Sequence, residues 1–137
     1  MKMSTYINFP GSCAEAFHYY EKHLGAKVGM VMTHAEAADS RVNPEWTNKV
    51  LHARLSIGET EMMAADIPNA EPMRSAYLTL SVDSDSEAER IYAALSDEGK
   101  PLMAIQETFF ASRFGQVRDR FGINWMILHE RPMPPHG

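Results

Sequence analysis

A chain of 137 residues, 45% of them hydrophobic, suits one compact domain with a core of its own. A formal charge of −5, with no run of lysines or arginines, leaves no electrostatic footprint for nucleic acid or an anionic membrane. One cysteine, Cys13, excludes an intrachain disulfide, and neither a signal-peptide-like start nor a bilayer-spanning apolar segment is visible, so a reducing, cytoplasmic setting is expected.

Tyr6 to Phe9 reads as a short strand. Pro10-Gly11 interrupts it, and Ser12-x-x-Glu15 has the spacing of a capping box, predicting a helix with Cys13, Phe17, Tyr20 and Leu24 on its apolar face and Gly25 at its end. Cys13 on that face reads as buried filler rather than a nucleophile, because His18 stands at neither i+3 nor i+4 from it. Ala26 to Thr33 is the next strand. Residues 35–48, polar and holding Asn43-Pro44, show no clear period and read as a loop able to cover something. From Lys49 to Ile57 the alternation is clean: Leu51, Ala53, Leu55 and Ile57 oppose Val50, His52, Arg54 and Ser56. Gly58-Glu59 turns the chain into a strand over Glu61 to Ala65, and a loop with two prolines runs from Ile67 to Pro72.

The plan then starts again. Ala76 to Val82 alternates Leu78, Leu80 and Val82 with Tyr77, Thr79 and Ser81, and Ser84-x-x-Glu87 is a second capping box. Ala88, Ile91, Tyr92 and Leu95 form its helix face, closed by Gly99. Gln106 to Leu128 reads as two strands joined by a tight turn at Asp119 to Gly122, with Trp125 following Ile123 and Ile127 toward the helix. Glu15, Ala16 and Tyr20 fall on Glu87, Ala88 and Tyr92 at one offset; His52, Ala53, Arg54, Ile57, Gly58 and Met62 fall on Gln116, Val117, Arg118, Phe121, Gly122 and Met126 at another. Both runs, in the same order of elements, predict two βαβββ modules, about 4–67 and 76–130, in a single domain over 1–137.

One face of each alternating strand must cover its module's helix. The other face carries Tyr6, Asn8, His52, Arg54, Met62, Tyr77, Thr79, Gln116, Arg118 and Met126, a mixture of aromatic, thioether and hydrogen-bonding groups suited to a small-molecule cavity. If the two sheets curve toward one another, these ten residues line a shared cleft. Several of the ten methionines fall in or near these strands, as flexible cavity lining or plain core filler.

The two-module plan, with Tyr6-Ile7-Asn8-Phe9, Glu15-Ala16-Phe17-His18-Tyr19-Tyr20, His52-Ala53-Arg54-Leu55, Gln106-Glu107-Thr108-Phe109-Phe110, Arg113-Phe114-Gly115 and Asp119-Arg120-Phe121-Gly122-Ile123-Asn124-Trp125, resembles the PhnB-like branch of the vicinal oxygen chelate superfamily, home of glyoxalase I, bleomycin-resistance proteins and extradiol dioxygenases. The resemblance implies an α+β fold, its two modules forming a curved mixed sheet around a cleft, and a homodimer. It also implies a divalent metal held by His or Glu from the first and last strands of the modules. Those positions here are Tyr6, Met62, Tyr77 and Met126; a phenol that stays protonated and a soft neutral thioether are poor ligands for Mg, Mn, Zn or Ni, so no metal cofactor is expected.

His52 is the first candidate ligand or base for an enzyme, although no second His or carboxylate stands at ligand spacing on its strand; His34 could approach from outside. Glu107, beside two phenylalanines, is a candidate base or ligand if burial raises its pKa, or else a structural carboxylate pairing with Arg113 or capping amides. Arg54 and Arg118 are either a cation pair for an anionic ligand or solvated strand residues. Phe109 and Phe110 shape a cavity mouth, or one is core and the other a dimer contact. No Gly-x-Gly-x-x-Gly follows a strand and no phosphate-cradling Gly-Lys-Ser or Gly-Lys-Thr occurs, so nucleotide cofactors have no docking site. The expectation is a small-molecule-binding protein without the usual metal; the alternatives are a metal-dependent lyase, isomerase or dioxygenase with an atypical ligand set including His52, and a dimer with a vestigial cleft.

Overall fold

The structure of the protein, a computed structural model, describes residues 1–36 and 44–132. The expected loop at 35–48 lies partly outside the described residues, and the tail at 131–137 mostly so. The elements run β1 (Thr5–Phe9), α1 (Cys13–Leu24), β2 (Lys27–Thr33), a 3-10 turn (Pro44–Trp46), β3 (Val50–Ile57), β4 (Thr60–Asp66), β5 (Leu78–Ser81), α2 (Asp85–Ser96), β6 (Lys100–Gln106), β7 (Ala111–Arg118) and β8 (Asn124–Glu130).

The chain divides into two compact units, Met1–Glu71 and Pro72–Gly137, each a βαβββ run with one four-stranded mixed sheet. The strand orders are β1-β4-β3-β2 and β5-β8-β7-β6. In each sheet the first strand of the unit pairs parallel with the last, and the remaining pairs are antiparallel.

In the first unit α1 packs on β2, β3 and β4. Phe9, Cys13, Phe17, Tyr20, Leu55 and Ala64 are buried there, and the Phe9 and Phe17 rings meet edge-on at 6.4 Å. Cys13 is inert filler, its thiol pushed up to about 12 by burial and by nearby Asp66. The predicted capping box at Ser12 does not form: Ser12 makes no side-chain cap bond. The buried carboxylate of Asp66 at the end of β4 takes its place, accepting the Gly11 and Cys13 N–H groups at 3.1 and 2.9 Å and the Val50 N–H at 2.9 Å. One side chain thus fixes the β1–α1 junction and the start of β3 to β4.

In the second unit the box does form. Ser84 Oγ accepts the Glu87 N–H at 3.1 Å and Glu87 Oε2 accepts the Asp83 N–H at 3.4 Å. Helix α2 buries Ala88, Ile91 and Leu95 against Val117, Trp125 and Ile127. Gly115 permits the close approach of Tyr92, since a Cβ there would stand 2.8 Å from the tyrosine ring. Gly99 is required for a similar reason rather than as a helix cap, because a Cβ would lie 2.5 Å from the Arg118 carbonyl oxygen. Buried Asp119 organises the β7–β8 loop: its carboxylate accepts the Phe121 and Ile123 N–H groups at 2.9 and 3.0 Å and the Trp125 Nε1–H at 2.8 Å.

Two further differences from the expected pattern concern β6 and Met62. Strand β6 gave no periodic signal, because most of its residues are exposed on an edge, and residues 107–110 form its connection to β7 instead of strand. Met62 also faces the opposite way from its expected place. It pairs with Leu55 and is 4% exposed, on the helix side, whereas Met63 pairs with Arg54 and Tyr6. The cause is turn length: Ile57 and Thr60 enclose two residues, Gly58 and Glu59, while Arg118 and Asn124 enclose five, 119–123. An odd difference flips the side-chain parity of the following strand, so the Met62–Met126 equivalence of the repeat fails.

Asp66→Ala is expected to lower unfolding stability by about 3 kcal/mol, through three backbone donors left unmatched, whereas Ser12→Ala should cost under about 0.5 kcal/mol. Urea titration followed by circular dichroism measures both, and equal losses would contradict the assignment of the cap to Asp66.

Candidate functional site

The face of the first sheet turned away from α1 is set by register. Tyr6 pairs with Met63, Asn8 with Ala65, Arg54 with Met63 and Met32 with His52, so β1, β4, β3 and β2 all contribute. The phenol oxygen of Tyr6 lies 3.2 Å from His52 Nδ1, and the two rings stack at 5.8 Å with an interplanar angle of 30°. The couple reaches from β1 to β3 across β4, a step made possible by small Ala65 beside Asn8. Tyr6 is 48% exposed, and partial burial, then the field of Cys13, raises its pKa, so it stays a protonated donor at neutral pH. Arg54 Nη1 pairs with Glu61 Oε1 at 2.7 Å on the same face, which neutralises its charge locally. His34 follows β2, its backbone N–H donating to the Lys49 carbonyl at 3.1 Å.

The corresponding face of the second sheet is different in kind. Thr79 and Gln116 pair with Met126, and Phe114 pairs with Leu128. Ala111, Phe114 and Leu128 are buried together, with Phe110 and Met126 packed against them, and the Phe109, Phe110 and Phe114 rings form an edge-to-face series at 5.2 and 5.1 Å. Tyr77 stands just ahead of β5.

Arg118, for which a ligand cation and a solvated strand residue were the two readings, is instead bonded within the protein. Its Nε donates to Asn124 Oδ1 at 2.8 Å and its Nη2 to the Met73 carbonyl at 3.0 Å, while Asn124 Nδ2 donates to the carbonyls of Met73 and Ala76. Together they strap residues 73–76 to the sheet and hold Ser75 at φ +50. Asn124, 1% exposed, was overlooked in sequence, although an amide opening a largely apolar strand was the available signal.

Glu107 is not a buried base. Two-thirds of its side chain is exposed and it pairs with Arg131, not Arg113, beside a shallow recess of about 500 Å³ lined by Glu107, Thr108, Phe109 and Arg131. Arg113 instead meets Glu89 at 2.8 Å and Asp85 at 3.6 Å.

One further cluster was invisible in sequence because its members are far apart in the chain. Ser112 Oγ donates to Asp85 Oδ1 at 2.5 Å, and His129 Nδ1 lies 2.8 Å from that oxygen and 3.0 Å from Ser112 Oγ. The residue types match a hydrolytic triad but the geometry does not: serine and aspartate meet the same imidazole nitrogen, whereas a proton relay needs them on opposite ones. The cluster ties the start of α2 to β7 and β8.

Among the described residues no group of three or more His, Cys, Asp or Glu side chains is placed to hold a metal ion. Of the positions where the resemblance puts ligands, Tyr6 is bonded to His52, Met62 is in the core and Met126 packs on the phenylalanine cluster. This donor set does not fit a divalent metal. No helix of the described residues is long and apolar enough to cross a membrane.

A family model described as 3-demethylubiquinone-9 3-methyltransferase matches residues 1–128. The Escherichia coli K12 protein YjdN is 36% identical over 148 aligned residues, spanning 98% of this chain and 99% of YjdN. Among solved structures, protein PA1353 from Pseudomonas aeruginosa matches with a TM-score of 0.83 at 36% identity, covering 96% of this chain and 99% of that one. A PhnB protein from Bacillus cereus matches with a TM-score of 0.79 at 20% identity, covering 94% and 99%, and so shares the fold.

Two outcomes follow from the charged groups. Arg118→Ala should cost about 2 kcal/mol, since the buried Asn124 and the 73–76 strap lose a charged donor, while Arg54→Ala should cost under about 1 kcal/mol as the loss of an exposed pair; chemical denaturation separates them. Asp85 has its pKa lowered, first by the Ser112 hydrogen bond and then by His129. A depressed carboxylate stabilises the fold above its unfolded pKa of about 3.9 and loses that contribution as pH falls through the lower folded value. Ser112→Ala should therefore flatten the acid limb of the stability curve below about pH 4 and leave its slope between about pH 7 and pH 5 unchanged.

Proposed function

Since the chain belongs to the 3-demethylubiquinone-9 3-methyltransferase family, within the PhnB-like branch of the vicinal oxygen chelate superfamily, we propose that it is a small-molecule-binding protein that works without the superfamily's divalent metal. The observation that carries this reading is the Tyr6–His52 couple on the helix-free face of the first sheet. Met32 and Met63 supply adaptable apolar surface beside it, and Asn8 adds an amide. The ligand that suits this mixture is a modest compound with a flat or aromatic body and one or more hydrogen-bond acceptors. Full negative charge is disfavoured in the ligand because Glu61 already answers Arg54.

In the second unit, taken by itself, Tyr77, Thr79, Gln116 and Met126 offer a mixed polar and apolar surface, and Arg118 stays structural. A homodimer in the cytoplasm is part of the proposal, on the strength of the family. Methyl transfer, named in the family's description, finds no support in the sequence, which has no glycine-rich strand-to-helix loop for a nucleoside cofactor.

Metal analysis of the purified protein and a thermal-shift screen with small aromatic carbonyl and amide compounds test the reading. The expected result is no stoichiometric metal, and a ligand that at a hundredfold excess over its Kd adds about 2.7 kcal/mol, on the order of 8 °C in Tm. His52→Ala should abolish that shift. Stoichiometric Zn, Ni, Mn or Fe that disappears in His52→Ala would establish the metal-dependent enzyme instead.

A further inference from the structure

We infer that Tyr6 is a positioning residue that fixes His52 as its Nε2–H tautomer, by donating the phenol proton to Nδ1, so that the imidazole presents a hydrogen-bond donor rather than a lone pair to whatever approaches the sheet. The inference rests on the proposed use of this face for ligand binding and adds the polarity its ligand must have.

A neutral imidazole carries one N–H donor and one acceptor nitrogen, and the partner of one nitrogen decides what the other can do. Here the partner of Nδ1 is the Tyr6 oxygen at 3.2 Å. Two arrangements satisfy that distance. In one, phenol O–H donates to a bare Nδ1; in the other, Nδ1–H donates to the phenol oxygen. Acid strength separates them, because a phenol is a good donor whose oxygen lone pair is delocalised into its ring, whereas the unprotonated imidazole nitrogen is the strongest base of the pair. Partial burial and the field of Cys13 hold the Tyr6 proton in place, leaving it available for donation. The rings stack 5.8 Å apart at 30°, and Nδ1 is the imidazole nitrogen that meets the phenol oxygen.

Among the described residues, the charged groups of this face do not compete for this assignment. Arg54 and Glu61, the charged residues of this face on β3 and β4, are paired with each other at 2.7 Å, and the residue opposite His52 on β2 is Met32. His52 in this state has Nδ1 filled and Nε2 protonated, and neither nitrogen offers a lone pair to a cation. A carbonyl, ether, amide or nitro oxygen on the ligand is the matching group, and the Tyr6 ring gives its flat body a surface to stack on.

The tautomer is read directly from long-range nitrogen–proton correlation spectra of uniformly ¹⁵N-labelled protein near pH 8, where six imidazoles contribute and comparison with His52→Gln identifies the one of interest. The expected spectrum shows an unprotonated-type shift at Nδ1 and a protonated-type shift at Nε2 for His52. Tyr6→Phe keeps the ring and removes the hydroxyl, and is expected to move both shifts toward the average of two exchanging tautomers while changing Tm little, since Tyr6 is half exposed. An Nδ1–H tautomer in the unmodified protein, or a His52 spectrum unchanged by Tyr6→Phe, overturns the inference. The spectra are recorded without ligand, so a failed compound screen counts against the proposed function alone.

Discussion

Each unit owns one helix and four strands, and that ratio governs everything else about it. A single helix covers a single face of a sheet, so most of the large aliphatic residues are brought to that side and the opposite side is left for other chemistry. Leu55, Met62 and Ala64 in the first unit and Val117, Trp125 and Ile127 in the second meet this requirement. What remains on the other face is decided by parity, and parity by the number of residues in each turn. The turn at Gly58-Glu59 encloses two residues and the loop from Asp119 to Ile123 five, so the last strands of the two units differ in register by an odd number of residues. Met63, rather than Met62, thereby comes to stand beside Tyr6 and Arg54.

Strands β3 and β7 and both helices were legible in the sequence because their signals are local: period two in Val50–Ile57, period 3.6 in Cys13–Leu24 and Asp85–Ser96. Signals that depend on a distant partner were not. Ser12-x-x-Glu15 has the spacing of a capping box, but a carboxylate more than fifty positions away took the backbone donors that a cap would have satisfied. Residue types alone could not reveal that Asp85, Ser112 and His129 would converge, or that Tyr6 would stack on His52. The duplicated pattern was a sound guide to the order of elements and a poor one to individual faces, since a fixed offset assumes turns of equal length.

Arg54 and Arg118 show how far duplicated positions can diverge without any change in the residue itself. Both sit on the helix-free side of the antiparallel pair formed by the last two strands of their unit. Arg54 faces Met63 and finds Glu61 one step along the strand, giving an exposed pair of little structural consequence. Arg118 faces Asn124, and the two together reach the Met73 carbonyl, so the same guanidinium becomes the anchor of a buried connection. The difference lies in the opposite strand, where an amide replaces a thioether.

The same logic explains why duplication here does not produce two equivalent sites. On the second sheet, phenylalanines and thioethers fill the face between Phe110 and Leu128, and the polar groups at its end are consumed by the strap. On the first sheet, a small residue at Ala65 leaves a step over which an aromatic pair can close, and the pair is held together by a hydrogen bond rather than by close packing. A stacked imidazole and phenol retain polarity that a phenylalanine cluster has lost. The first sheet's open face therefore keeps directional hydrogen-bonding groups, whereas the second sheet's is mostly apolar.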